Sequence, residues 1–320
     1  MSPLILVTGA AGFIGSHVCE ALIARGDEVV GLDNFDPFYP RQLKEQNIAA
    51  LRGRAEFRLV EADITRDALP LAGVTAVVHL AAKAGVRASV EDPVAYTAVN
   101  VTGTARVLEA ARETGVRRIV LGSSSSVYGD ATPRPFAEDA AAVEPVSPYA
   151  ASKRAAELLA HVFAHLHGMR ILCLRLFTVY GPRQRPDLAV HRFIDAIARD
   201  RPVPMHGDGS SEREYTYISD AVDGVLAGLD WTGRRGPGCV AINLGGGERV
   251  RLDRLIDLVA RASHRDARIE RCPEQPGDVR LTAADLGRAE RELGYRPRVG
   301  IEEGIGHFVR WYEATHGRQS

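Results

Sequence analysis

The first half of the chain alternates short apolar runs with longer stretches of helical periodicity. The runs Leu4–Thr8, Glu28–Leu32, Glu56–Glu61, Ala76–Leu80, Arg118–Gly122 and Arg170–Leu174 are mostly near-continuously apolar, as strands covered on both faces are. Between them Phe13–Arg25, Gln42–Leu51, roughly Val94–Glu113 and Pro148–His167 carry the spacing of helices. Short strands alternating with helices predict βαβ units and a parallel sheet.

After Arg175 the alternation breaks up. Pro182, Pro186, Pro202, Pro204 and the run Gly207–Ser211 mark turns. Ile218–Trp231 resumes helical spacing, Gly233–Gly238 reads as a linker, Val240–Leu244 as a strand, and the tail from Arg249 carries two more helical stretches. The expected fold class is α/β: a Rossmann-type doubly wound parallel sheet with a smaller, discontinuous C-terminal substrate domain. The sheet domain is expected over residues 1–176 and 213–245, and the smaller domain over 177–212 and 246–320.

Composition narrows the class. A chain of 320 residues, 45% hydrophobic, buries enough surface to fold without staples. Its formal net charge of −1 offers no field for nucleic acid or anionic lipid. No apolar stretch has the roughly 20 residues that a membrane helix needs, and the N-terminus lacks the basic and apolar regions of an export signal. Cys19, Cys173, Cys239 and Cys272 lie far apart without metal or disulfide spacing, and the histidines form no ligand set. A cytoplasmic protein with no metal, no nucleic-acid partner and no membrane partner is expected.

Of the 40 basic residues only Lys44, Lys83 and Lys153 are lysines. A lysine that persists against such a bias is a candidate for a task that a planar guanidinium fits poorly. Lys83 follows the fourth strand, beside the expected cleft, whereas Lys44 sits on a polar helical stretch and reads as a solvated surface residue.

Two patterns carry chemistry. Thr8-Gly9-Ala10-Ala11-Gly12-Phe13-Ile14-Gly15 joins the first strand to the first helix, where glycines permit a tight turn and close approach of a pyrophosphate to the helix N-terminus. Asp33 ends the second strand and is placed to accept both ribose hydroxyls of an adenosine. With Asn34 rather than arginine next, NAD is favoured over NADP. Asp63 follows the third strand and reads either as an adenine contact or as a helix cap. The second pattern is Tyr149-Ala150-Ala151-Ser152-Lys153, whose phenol and ammonium share one helix face. The ammonium, aided by the charge of a bound nicotinamide, is expected to bring the phenol's pKa down toward the working range. Ser124, in the serine run after the fifth strand, is the expected partner for a reacting hydroxyl. The same helix is apolar on more than one face, so a homodimer through it and a neighbouring helix is expected.

These residues resemble the extended short-chain dehydrogenase/reductases that act on nucleotide sugars. The resemblance runs from Leu4 to about Pro297. It is sharpened by Asp33-Asn34-Phe35-Asp36-Pro37-Phe38-Tyr39, Ala84-Gly85-Val86-Arg87-Ala88-Ser89, Phe177-Thr178-Val179-Tyr180-Gly181-Pro182, Arg185-Pro186-Asp187 and Gln275-Pro276-Gly277-Asp278-Val279. It implies NAD contacts from Gly9, Gly12, Phe13, Ile14, Asp33, Asn34, Asp63, Ile64, Leu80, Ala81, Ala82, Lys83, Asn100, Tyr149 and Lys153, with Ser124 as the catalytic hydroxyl. It further implies that a UDP-sugar is bound by Arg87, Ser125, Ser126, Thr178, Arg185, Leu188, Ala189, Arg213 and Asp278. The implied reaction is NAD-dependent C4 epimerisation of UDP-glucuronate to UDP-galacturonate through a 4-keto intermediate.

Neighbouring chemistries stay open at this point. Sugar dehydratases of this family carry acids where this chain has Ser125 and Ser126, and decarboxylases keep a glutamate at the second. Arg185 and Thr178 together form a donor set for a carboxylate. The alternatives are epimerisation of UDP-glucose or UDP-N-acetylglucosamine, decarboxylation of UDP-glucuronate, and a non-enzymatic NAD sensor.

Overall fold

The computed structural model describes residues 2–273 and 281–317. In chain order the strands are β1 (Leu4–Thr8), β2 (Glu28–Asp33), β3 (Phe57–Glu61), β4 (Ala76–His79), β5 (Arg118–Ser124), β6 (Arg170–Leu176), β7 (Thr178–Tyr180), β8 (Val203–His206), β9 (Glu212–Tyr217), β10 (Gly238–Leu244), β11 (Arg249–Arg251) and β12 (Ile269–Cys272). The helices are α1 (Phe13–Ala24), α2 (Arg41–Asn47), α3 (Val86–Glu91), α4 (Pro93–Thr97), α5 (Thr104–Glu113), α6 (Pro148–His167), α7 (Ala189–Ala198), α8 (Ile218–Arg234), α9 (Leu252–Ala262), α10 (Gly287–Leu293) and α11 (Ile301–His316).

Seven strands form one parallel sheet in the order β10-β6-β5-β4-β1-β2-β3. Alternate side chains of each strand point to opposite faces, and the two faces bury separate cores. Ile5, Val7, Val120 and Leu172 pack with Val18, Leu22, Val225 and Leu229 of α1 and α8. Leu6, Val77, Ile119 and Ile171 pack with Val107, Leu108, Ala156 and Ala160 of α5 and α6. That two-sided burial is why the strands read as continuous apolar runs. Strand order reverses between β1 and β4, which opens a crevice at the carboxyl ends of the strands. A third core joins Phe193 and Ile197 of α7, Leu255 and Val259 of α9, and Phe308 and Tyr312 of α11. Beside it lie a three-stranded sheet, β11-β9-β7, and the pair β12-β8.

Four expectations are corrected. The stretch 94–113 is not one helix: α4 is followed by a π-helical turn, Ala98–Gly103, before α5. The wider turn presents the Asn100 amide to both the N–H and the C=O of Lys83, at 2.8 and 2.9 Å. Helix α2 stops at Asn47, whose side chain donates to the Ala11 carbonyl at 3.0 Å. Helix α8 continues through Gly233 to Arg234, so the expected linker shrinks to 235–237. The tail holds three helices rather than two, since the seven residues of α10 are too few to show a clear period.

Helix α6 is tied to the sheet by a buried carboxylate. Both Glu157 oxygens accept from Arg175 of β6 at 2.9 Å, and one also accepts from the Ser123 hydroxyl of β5 at 2.6 Å. Burial raises the Glu157 pKa, but the hydrogen bonds and charge of Arg175 outweigh it and hold the carboxyl below its usual range. Removing one partner of such a pair strands a charge in the core. Glu157→Gln is expected to lower the unfolding free energy by about 3 kcal/mol, with Glu157→Leu/Arg175→Met recovering much of it. Urea titration of the three proteins checks this, and a loss under about 0.5 kcal/mol in the single variant would show that the pair is not needed.

Candidate active site

The cavity at the carboxyl ends of the strands is about 1740 Å³ and runs from the glycine-rich turn to the third core. At its floor, Gly9 has φ +72°, and a Cβ there would lie 2.9 Å from the Ala81 amide nitrogen. A Cβ on Gly15 would lie 2.1 Å from the Gly9 carbonyl oxygen, so only glycine allows this turn to close. Helix α1 starts there with Gly12 as its N-cap and no side-chain cap. Its first-turn amides and positive dipole end therefore point at the cavity, ready for a phosphate. The turn fits a pyrophosphate. Thr8 holds the facing wall: its hydroxyl bonds His79 Nδ1 at 2.7 Å and accepts from the Ala81 N–H at 3.2 Å. Burial, aided by the nearby Lys153 charge, lowers the His79 pKa to about 3 and keeps it neutral.

Beside the glycine turn Asp33 is buried and accepts from the N–H groups of Ala11 and Phe35, at 3.1 and 2.8 Å. It also pairs with the Lys44 ammonium at 3.2 Å. Lys44 is not the solvated residue its polar helix predicts. Its side chain is only 8% exposed and its ammonium lies 5.2 Å from the centre of the Tyr39 ring. Nothing local signals this, because the partner lies on another element; the scarcity of lysine is the one hint. Lys83 faces the cavity and pairs with Asp36 at 3.3 Å. Asp63 caps a turn, accepting from the Thr65 N–H and hydroxyl at 2.8 and 2.7 Å, and receives the Asn34 amide at 3.3 Å. Phe13, Ile14, Ile64, Leu80, Ala81 and Ala82 all line this part of the cavity. Asn100 is buried behind the wall, gripping Lys83 and the Ser152 hydroxyl instead of facing the cavity.

Tyr149 and Lys153, the expected reactive pair, line the same cavity. Ser147 caps α6 through the Ala150 N–H at 3.1 Å and Pro148 takes its first turn, placing Tyr149 and Lys153 one turn apart on the cavity side. The Lys153 ammonium donates to the Gly122 carbonyl at 2.7 Å, and burial lowers its pKa to about 8. The protein's own groups do not by themselves bring the Tyr149 phenol down. Burial raises its pKa above the ordinary value, and the opposing influences are a hydrogen bond from Ser124 and the charge of Arg185. Buried phenol desolvation thus outweighs the local cations. Ser124 also accepts from the Ser126 N–H at 3.1 Å, at the start of a short 3₁₀ turn that brings Ser125 and Ser126 to the cavity.

Toward the third core, Thr178, Arg185, Leu188, Ala189 and Arg213 line the same cavity. Arg185 is 14% exposed, spans Nε and Nη2 to Asp187 at 2.9 and 2.6 Å, and donates from Nη2 to the Ala84 carbonyl at 3.1 Å. Its guanidinium carbon lies 4.9 Å from the centre of the Phe38 ring. Burial works to lower its pKa, yet the bonds and charge of Asp187 leave it raised. Arg87 is exposed at the rim and makes no ion pair with a described residue. Asp278, with Gln275 and Arg280, lies outside the described residues. Sequence reasoning missed Glu214, a buried carboxylate that accepts from the N–H groups of Gly247 and Ala284 at 3.0 and 2.6 Å and braces the chain beside Arg213.

The chain matches the model of the NAD dependent epimerase/dehydratase family over residues 5–245. It is 40% identical over 312 residues to a UDP-glucuronate 4-epimerase of Thermodesulfobacterium geofontis, covering 96% of this chain and 95% of that one. It is 40% identical to a probable UDP-glucuronate 4-epimerase of Rhizobium meliloti, covering 98% of each. Among solved structures it is similar to UDP-glucuronic acid 4-epimerase from Bacillus cereus in complex with UDP-glucuronic acid and NAD. There the TM-score is 0.93 at 37% identity, covering 98% of this chain and 99% of that chain.

The Lys44–Asp33 pair generates a prediction. Lys44→Met leaves the Asp33 carboxylate buried without the cation that holds it in place, so in the ribose-binding role expected of it Asp33 is less well positioned. Titration of stripped protein with NAD is expected to show affinity about tenfold weaker, equivalent to roughly 1.4 kcal/mol. Affinity within twofold of wild type would refute it.

Proposed function

The chain belongs to the NAD dependent epimerase/dehydratase family, and from that premise we propose that it interconverts UDP-glucuronate and UDP-galacturonate by NAD-dependent epimerisation at C4. The observation that carries this reading is the half-buried Arg185 guanidinium in the same cavity as the Tyr149 phenol, which Thr178 also lines. That set suits a sugar whose C6 is a carboxylate. Dehydration is disfavoured because Ser125 and Ser126 cannot do acid–base work at neutral pH, and the same absence of an acid at Ser126 disfavours decarboxylation.

In this reading the turn Gly9–Gly15 and the N-terminus of α1 hold the cofactor pyrophosphate, and Asp33 takes the adenosine ribose. Lys153 takes the nicotinamide ribose. When bound, NAD supplies a reversible hydride acceptor at C4. Tyr149 accepts the proton of the sugar 4-hydroxyl and returns it to the epimeric hydroxyl. Ser124 donates to the oxygen as the 4-ketone forms, and through its bond to the phenol favours the phenolate. Arg185 and Thr178 hold the C6 carboxylate, which discourages loss of CO₂ from the β-keto acid. Arg213, Leu188 and Ala189 receive the UDP portion, on the smaller unit around the third core. The wild-type chain is expected to convert UDP-glucuronate to UDP-galacturonate without net cofactor consumption, followed by NMR. UDP-xylose with CO₂ would overturn this in favour of decarboxylation.

Two substitutions separate chemistry from recognition. Tyr149→Phe is expected to abolish turnover, by more than about 10³-fold, while NAD stays bound. Arg185→Leu is expected to impair use of the uronate far more than of UDP-glucose; equal losses in kcat/KM would refute the carboxylate role.

A homodimer and a cytoplasmic setting go with this reading. Leu158, Val162 and Leu166 of α6 are 53%, 46% and 65% exposed, with Val94 at 77% nearby in the fold. An apolar stripe of that kind is suited to a second copy of the same helix. The four cysteines are free thiols, as in a reducing compartment. Sedimentation is expected to return a dimer at micromolar concentration, and Leu158→Glu/Leu166→Glu a monomer; monomer alone for wild type would refute the assembly.

A further inference from the structure

The Arg185 guanidinium already holds a carboxylate. Asp187 occupies the Nε and Nη2 edge as a fork, and the remaining Nη2 hydrogen goes to the Ala84 carbonyl. A guanidinium has five N–H donors. Those three contacts leave only the two Nη1 hydrogens without a partner among the described residues, so neither two-toothed edge is open to a ligand. The two partners differ in freedom. Arg185 is 14% exposed and held by Ala84 and by the Phe38 ring, whereas the Asp187 side chain is 37% exposed and borders the cavity. Asp187 can turn toward water; the arginine cannot follow it.

We propose that Asp187 is a resident counter-carboxylate that the uronate's own carboxylate displaces from Arg185, making Asp187 a specificity-determining residue. The inference rests on the uronate reading above. Binding is then an exchange of one carboxylate for another on a fixed cation. Substrate gains a charge-assisted fork, but the gain is offset by releasing Asp187, so the pocket favours uronates over neutral sugars less than a bare arginine would. A neutral sugar leaves the Arg185–Asp187 pair intact, and no charge is stranded in the pocket.

Calorimetric titration of the NAD-loaded protein with UDP-glucuronate and with UDP-glucose reads the ratio of the two dissociation constants. Asp187→Asn keeps the shape and removes the charge, and is expected to move that ratio about tenfold toward the uronate. Asp187→Ser carries the same expectation and guards against instability of the amide variant. In the Arg185→Leu background, adding Asp187→Asn is expected to leave the ratio where Arg185→Leu put it. A ratio unmoved in both Asp187 variants, or moved toward the neutral sugar, overturns the proposal. The wild-type titration stands apart: a wild-type holoenzyme that neither binds nor epimerises UDP-glucuronate overturns the functional reading itself.

Discussion

The carboxylate of Glu157 fixes the spacing between the helix that carries the phenol and the strand that carries the serine. It lies one turn beyond Lys153 and two beyond Tyr149, on the same face of α6, and it is buried. Its two oxygens are held by Arg175 on β6 and Ser123 on β5. Ser123 is the neighbour of Ser124, so the strand residue beside the phenol and the strand residue on the carboxylate are set by one stretch of backbone. A slide of α6 by one residue, about 1.5 Å, would break the Arg175 fork and strand a carboxylate in the core. Apolar packing of Ala156, Ala160 and Ala164 tolerates small shifts; the fork does not. Register at the reacting centre is therefore an electrostatic matter laid over a hydrophobic one.

The loops around the cavity follow the same logic with weaker links. Loops have little apolar surface of their own to bury, and here ion pairs hold them: Asp33 to Lys44, Asp36 to Lys83, Arg185 to Asp187. Burial grades these pairs. Asp33 and Lys44 are nearly solvent-free and act as fixed framework. Asp36, Lys83 and Asp187 keep solvent contact, where charges are screened and exchange partners readily. The fixed pair lies beside the glycine-rich turn and an exchangeable one beside Ala84 and Phe38, which in the proposed reading matches a cofactor kept through each cycle and a substrate released after it.

The parts legible in the sequence are those whose cause is local. The strands of the main sheet, the glycine turn and α6 with its Ser147–Pro148 start each follow from a run of a few residues. What was not legible depends on partners far away in the chain. Asn100 reads as a cofactor contact, yet its amide is spent on Lys83, seventeen residues back, and only the π-helical turn reveals it. Glu157 reads as one more polar helix residue until β6 brings Arg175 across. The surroundings of Tyr149 are hidden for a related reason: spacing places an ammonium nearby, but only the folded structure shows that Lys153 turns to the Gly122 carbonyl and that Ser124 and Arg185 are the groups acting on the phenol.

The lysines resolve into a division of labour between two cations. All three line one cavity, although only two of them were expected there. Two meet a confined space, Lys44 between Asp33 and the Tyr39 ring and Lys153 under the Gly122 carbonyl, whereas Lys83 pairs with Asp36 in contact with solvent. An ammonium is a compact point charge with three donors that can share a carbonyl or carboxylate and still face a ligand. The arginines of the site do the opposite work. Arg175 and Arg185 each engage a carboxylate through two nitrogens at once, which a lysine cannot imitate. In a chain where arginine replaces lysine almost everywhere else, two of the three exceptions fall where a planar fork would overfill the space. The bias in composition thus marks the cavity by geometry and not by charge, since either residue would have supplied the same positive sign.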